Sequence, residues 1–159
     1  MSACEARATN IINMRVSRRE IVLSDPIRNR LLIALMRVNT LGLVVVTALS
    51  VFVAVSAVVV DFTNTHVYNP TWPPHARFHG YLSIARTVLI MAAIMLLAWG
   101  PVRAGVKWAW GVLSLLLLGW LAIWFLAPLV VPGSGDVGAY IFAGVLTPIA
   151  LLALWLVRA

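Results

Sequence analysis

Four long apolar runs separated by short polar segments dominate the chain. The first, LGLVVVTALSVFVAVSAVVV, is almost unbroken up to Asp61 and predicts a spanning helix over about residues 38–60. Its start can lie earlier, because residues 31–36 are already apolar and Arg37 can snorkel. Three further runs predict spans at about residues 80–99, 108–131 and 137–157. Crossing about 30 Å of hydrocarbon takes roughly 20 residues at about 1.5 Å each, so every run is long enough.

The polar segments predict how the runs connect. Residues 61–78, DFTNTHVYNPTWPPHARF, form an outer loop in which Pro70, Pro73 and Pro74 forbid a continuous helix. The second helix can begin near Pro74, since proline suits a first turn. Gly100-Pro101 ends that run, and the short connection carrying Arg103 and Lys107 predicts a tight antiparallel hairpin of helices two and three. PGSGD, residues 132–136, is a turn, Pro128 leaves room for a shorter third span, and Pro148 is expected to bend the fourth. The fold class predicted is all-α: a polytopic membrane protein, built as an antiparallel bundle of four transmembrane helices. Residues 1–30 form a basic tail and residues 31–159 the membrane domain. There is no internal repeat.

Composition supports this pattern. The chain is 62% hydrophobic and 11% charged, against roughly 45–50% and about 25% for soluble domains. A soluble domain of 159 residues could not hide that excess, so it must face lipid. The net charge of +7 raises the question of nucleic acid. Its distribution answers it: Arg7, Arg15, Arg18, Arg19, Arg28, Arg30 and Arg37 all precede the first long apolar run. Basic residues beside a span are an orientation signal and attract anionic membrane lipid, and no nucleic-acid recognition fold has room to form. Residues 11–23 read equally as an amphipathic segment on the inner leaflet or as a floppy tail. A small-x-small site at residues 54–56 is not expected to be cleaved, given the long basic region before it and the three spans after it. Cys4 is the only cysteine, so an internal disulfide and a cysteine metal site are both out of reach.

The charges also set the topology. The basic tail, Arg103, Lys107 and Arg158 fall on one side; Asp61, Arg77 and Asp136 fall on the other. The positive-inside rule then predicts a multi-pass protein of the cell membrane with both termini cytoplasmic. Trp99, Trp108 and Trp110 lie at the inner boundary and Trp72 at the outer, the usual aromatic belt positions.

Candidate chemistry gathers at the outer end. His66, His75 and His79 are the only histidines, and all fall within fourteen residues. His75 and His79 are spaced i, i+4, so on a helix starting at Pro74 they share a face, and Arg86 continues it two turns deeper. Arg77 points roughly 160° away from His79. Asp61 ends the first helix on the same side of the membrane. A site bounded by Asp61, His66, His75, His79 and Arg86 admits three readings. His66, His75 and His79 could ligate a transition metal cofactor. The histidines could do metal-free acid–base work, oriented by Asp61, with Arg86 holding a polar substrate group. Or the cluster is structural, with Arg86 pairing Asp61 to tie two helices together. An intramembrane arginine is a site hypothesis by default. Thr47, Ser50 and Ser56 can bond their own backbone or a neighbouring helix. Met91 and Met95 read as packing.

The stretch from Asp61 and His66 through Asn69-Pro70-Thr71-Trp72-Pro73-Pro74-His75-Ala76-Arg77-Phe78-His79 resembles an element, N-P-x-W-P-P-H-A-[KR]-F-H, of a group of small uncharacterised four-helix membrane proteins. The resemblance covers about twenty residues. It implies a four-helix bundle with a site made by the loop and the second helix, and carries no activity with it. In layout the chain is also similar to DoxX-like and emopamil-binding-like proteins, whose diagnostic residues it lacks.

These readings lead to an enzyme acting on a hydrophobic small molecule that enters from the bilayer, with His75, His79, Asp61 and Arg86 as catalytic candidates. The alternative is a non-catalytic carrier, binding or scaffold protein, oligomeric if it transports. Gly111, Gly119, Ala139 and Gly144 permit close helix contacts without specifying an oligomer.

Overall fold

The computed structural model describes residues 26–158; Cys4 and the 11–23 segment lie outside the described residues. The chain divides into two units, residues 1–37 and 38–159. The described part of the first, residues 26–37, is helical. All regular structure among the described residues is helical: α1 (Pro26–Asp61), α2 (Pro74–Leu97), α3 (Lys107–Val130) and α4 (Val137–Leu156), with a π-helical turn at Ala98–Val102. Four segments are long and apolar enough to cross a membrane: Asn39–Asp61, Pro74–Val102, Lys107–Val130 and Val137–Leu156. In hydrocarbon each backbone N–H and C=O must find its partner inside the chain, and unbroken helices meet that demand. The protein is thus an all-α, multi-pass membrane bundle.

Proline and glycine shape the helix ends. Pro74 opens α2 behind an extended Pro73 (φ −63°, ψ 154°), where its missing N–H costs nothing. At the other end Pro101 offers no donor, the backbone departs from helical values at Gly100 (φ −91°, ψ −105°), and the Arg103 N–H reaches back five residues to the Ala98 carbonyl at 3.0 Å. The α4 start is capped by Asp136, whose carboxylate accepts the Ala139 N–H at 3.1 Å. Pro128 does not shorten α3, which runs through it to Val130, close to the expected span of 108–131. Pro148 lies inside α4, and the neighbouring Thr147 hydroxyl donates to the Ala143 carbonyl at 2.7 Å.

The core of the 38–159 unit takes one stripe from each helix. Leu43, Val46, Leu49 and Val53 of α1 meet Met91 and Ile94 of α2, Leu113, Leu117 and Leu121 of α3, and Leu146, Ala150 and Ala153 of α4. The spacing of three to four residues is that of one helical face. Ser50 is the buried polar residue among them, and its hydroxyl donates to the Val46 carbonyl at 2.9 Å. Leu89, Leu96, Leu115 and Leu129 point outward, each at least 70% exposed, as lipid contact requires.

One end of the bundle is closed by contacts between helices. Gly42 lies against α4, where an added Cβ would stand 2.7 Å from Val157 Cγ1 and 3.0 Å from the Ala153 carbonyl. The Trp99 indole donates to Thr47 Oγ1 at 2.8 Å, and the Trp110 indole to the Leu154 carbonyl at 3.0 Å. Arg103 sits 5.3 Å over the Trp99 ring. The four helices alternate in direction, so the Asp61–Pro74 connection occupies the opposite end.

Candidate functional site

The connection from α1 to α2 is a folded cap. Its backbone turns on itself through Val67 N–H to the Asp61 carbonyl (3.0 Å) and through the Thr63 carbonyl, which accepts from His66 (3.1 Å) and Tyr68 (3.0 Å). Asn69 builds the next turn: its side-chain oxygen accepts from the Thr71 N–H at 2.9 Å and hydroxyl at 2.7 Å. Val67 is buried against Gly80, where a Cβ would meet Val67 Cγ2 at 3.2 Å, so the cap lies close on the first turns of α2.

Arg77 then locks the cap to the helix. Its Nε donates to the Trp72 carbonyl at 3.1 Å and a terminal nitrogen donates to the Pro70 carbonyl at 3.2 Å. Proline supplies no N–H to this stretch, so its carbonyls need side-chain donors, and the helical face opposite His79 is where one can reach them. That shortage of donors was the signal in the sequence for a role of Arg77, which the reading of the histidines alone passed over.

His75 and His79 are brought together. Their Nε2 atoms stand 3.0 Å apart, the ring centroids 4.5 Å apart, and the ring planes cross at 88°. Both rings are exposed. A hydrogen bond between two Nε2 atoms needs a proton on one and a lone pair on the other, so the pair is an asymmetric donor–acceptor unit. Phe78 flanks it edge-on, 5.7 Å from the His79 ring.

His66 is not part of this pair. Its Nδ1 contacts the Thr65 hydroxyl at 3.0 Å and the Thr63 hydroxyl at 3.5 Å, and its ring meets Trp72 edge-on at 6.2 Å. Among the described residues no three of His, Cys, Asp or Glu gather where they could hold a metal. The set of His66, His75 and His79 is therefore not assembled: the cap's own turn fixes His66, while the helix fixes the other two.

Asp61 and Arg86 also separate. The half-buried Asp61 carboxylate is near enough to the His66 ring for the two to attract one another, and it makes no hydrogen bond to His75 or His79. Arg86 is exposed, and it forms no hydrogen bond or ion pair with any described residue, Asp61 included. The five candidates thus form two groups: Asp61 at the end of α1 with His66 in the cap, and His75, His79 and Arg86 on an exposed face of α2. The segment Pro74–Val102 has 29 residues, about 43 Å of helix. That exceeds the hydrocarbon thickness of about 30 Å, so the histidine pair at its start reaches the interfacial zone while Arg86, near its middle, stays at membrane depth.

Two open grooves mark the surface. One runs along α1 over Val44, Val51 and Val55 to Trp99, and the other lies between cap and α2 over Tyr68, Phe78 and Tyr81. The histidine pair lines neither.

No curated protein and no solved structure matches the chain. One family model does, over residues 44–157, which take in most of the first span, the cap and the other three spans: the chain belongs to DUF6640, a family of unknown function.

Proposed function

We propose that this membrane protein is an enzyme acting at the rim of the bilayer on a hydrophobic small molecule, of the lipid, isoprenoid, quinone or polyketide-like kind. The carrying observation is the 3.0 Å Nε2–Nε2 pair of His75 and His79 on the same exposed face as Arg86. A paired imidazole can take a proton from a substrate and pass one back without a change of net charge on the protein. An amphiphile lying along α2 in the lipid would meet Arg86 with its polar group. Charge in hydrocarbon is costly, so an arginine exposed there has strong attraction for an anionic or carbonyl oxygen. Asp61 and His66 belong to the cap and act, if at all, by holding it.

The positive-inside rule places the histidine rim on the extracytoplasmic face of the cell membrane, with both termini in the cytoplasm. The resemblance in layout to DoxX-like and emopamil-binding-like proteins fits a small bundle handling apolar molecules. One observation favours a second reading, a carrier or binding protein: the pair sits on an open surface, outside both grooves.

The test is untargeted mass spectrometry of hydrophobic extracts incubated with purified protein in lipid nanodiscs. A compound consumed by the wild type and spared by both His79→Ala and Arg86→Ala supports the enzyme. A compound that copurifies unchanged with the wild type supports the carrier, and turnover preserved in both variants would overturn these roles.

A further inference from the structure

We propose that His75 and His79 form a two-histidine chelate for one divalent transition-metal ion of the zinc, copper or nickel kind. This deepens the reading of the pair as the working group of the site and rests on it.

Spacing of i, i+4 places two side chains on one face but does not by itself aim them at one point. Here the distal nitrogens converge to 3.0 Å while the ring planes stand at 88°. Metal–imidazole bonds of about 2.0–2.1 Å at a tetrahedral angle put two nitrogens about 3.3 Å apart. A widening of a few tenths of an ångström by side-chain rotation, with the donor ring's proton moved from Nε2 to Nδ1 through water so that both Nε2 lone pairs face the ion, converts the hydrogen bond into a chelate. Neither ring has another hydrogen-bond partner among the described residues, so no competing bond has to break. Imidazole nitrogen selects zinc, copper and nickel over magnesium or calcium, which take oxygen.

The surroundings agree. Both rings are exposed, so an ion can reach them from the interfacial water. Arg77 is turned away and held by the carbonyls of Pro70 and Trp72. Two neutral imidazoles leave at least two coordination positions and the ion's full charge uncompensated. Water, or an oxygen of an amphiphile whose polar group Arg86 attracts, would complete the shell. His66 lies outside the set, since among the described residues no three such side chains gather where they could share an ion.

The experiment uses the full chain without a polyhistidine tag, in detergent, stripped with a chelator and titrated with Co2+ and then Zn2+. The expected result is a cobalt absorption band at one equivalent, reversed by zinc, lost in His75→Ala and in His79→Ala and kept in His66→Ala. A wild type that binds no more metal than the double variant His75→Ala/His79→Ala overturns the chelate. Equal loss in His66→Ala overturns the two-ligand set. The extract assay separates the two levels. Turnover that needs His79 but survives chelation removes the metal and leaves the enzyme. Metal binding with turnover indifferent to His79 removes the enzyme and leaves the metal site.

Discussion

The two ends of the bundle solve the same problem differently. At the closed end, side chains bond across helices: Trp99 to Thr47, Trp110 to the α4 backbone, and the bare face of Gly42 against Ala153 and Val157. At the capped end, the bonds are almost all local. Asn69 serves Thr71, Thr63 serves its neighbours, and Arg77 serves carbonyls five and seven residues back. The first pattern holds four helices in register. The second builds a loop folded on one helix and leaves the adjoining face of α2 without side-chain bonds to the other helices among the described residues. The bonds that hold the helices to one another thus gather at one end, and substitutions at each end should read out differently.

The largest effect is expected at Gly42. Even an alanine there puts Cβ 2.8 Å from Leu156 Cβ and 3.0 Å from the Ala153 backbone, an approach that forces α1 and α4 apart. Gly42→Ala should cost about 1–3 kcal/mol, seen as a lower unfolding temperature in detergent. Gly111→Ala is the matched control, because nothing lies within 4 Å of its added Cβ. Helix propensity favours alanine at both positions, so Gly111→Ala should be neutral or stabilising, and equal destabilisation by both would rule out close packing at Gly42 as the cause.

Arg77 comes next. Arg77→Ala removes both bonds from the cap and should cost about 1–2 kcal/mol locally. It should appear as faster hydrogen exchange and proteolysis across residues 61–73, with the closed end unaffected. Arg77→Lys keeps the charge but not the forked donor and should fall between. If exchange in the cap is unchanged in Arg77→Ala, the lock assigned to it is wrong.

The sequence disclosed these regions unequally, for physical reasons. The helices were legible because lipid allows an apolar run of twenty residues little choice of structure. The His75–His79 pair was legible because Pro74 fixes where α2 starts, and helical spacing does the rest. The lock by Arg77 was not, since it depends on the path of a proline-rich loop that no periodicity describes. For the same reason Asp61 and His66 were grouped with the helix face although the cap's turns hold them elsewhere. Trp99 read as a belt residue, and its bond to Thr47, 52 positions away in sequence, is a tertiary fact that local pattern does not carry.

A smaller effect is expected for the Trp99–Thr47 bond. Thr47→Val keeps the shape and removes the acceptor, leaving the indole N–H to lipid or headgroup. Hydrogen bonds between membrane helices average about 0.6 kcal/mol, so the unfolding midpoint should fall slightly. A loss as large as that of Gly42→Ala would show that the closed end is held by this bond more than by close packing.

The smallest losses of stability, or none, are expected on the exposed face of α2. His75 and His79 bond only each other among the described residues, so His75→Ala should change stability by no more than about 0.5 kcal/mol. Arg86 goes further: with no partner among the described residues, its guanidinium at membrane depth costs free energy that an apolar side chain would not. Arg86→Leu should therefore leave the unfolding temperature of the bundle unchanged or raise it. The same change would remove whatever the guanidinium binds. If Arg86→Leu lowers stability as Gly42→Ala does, the arginine is a structural tie, to a second copy or to lipid. The division between an end that holds the fold and an end free for chemistry would then fail at the residue where it makes its sharpest claim.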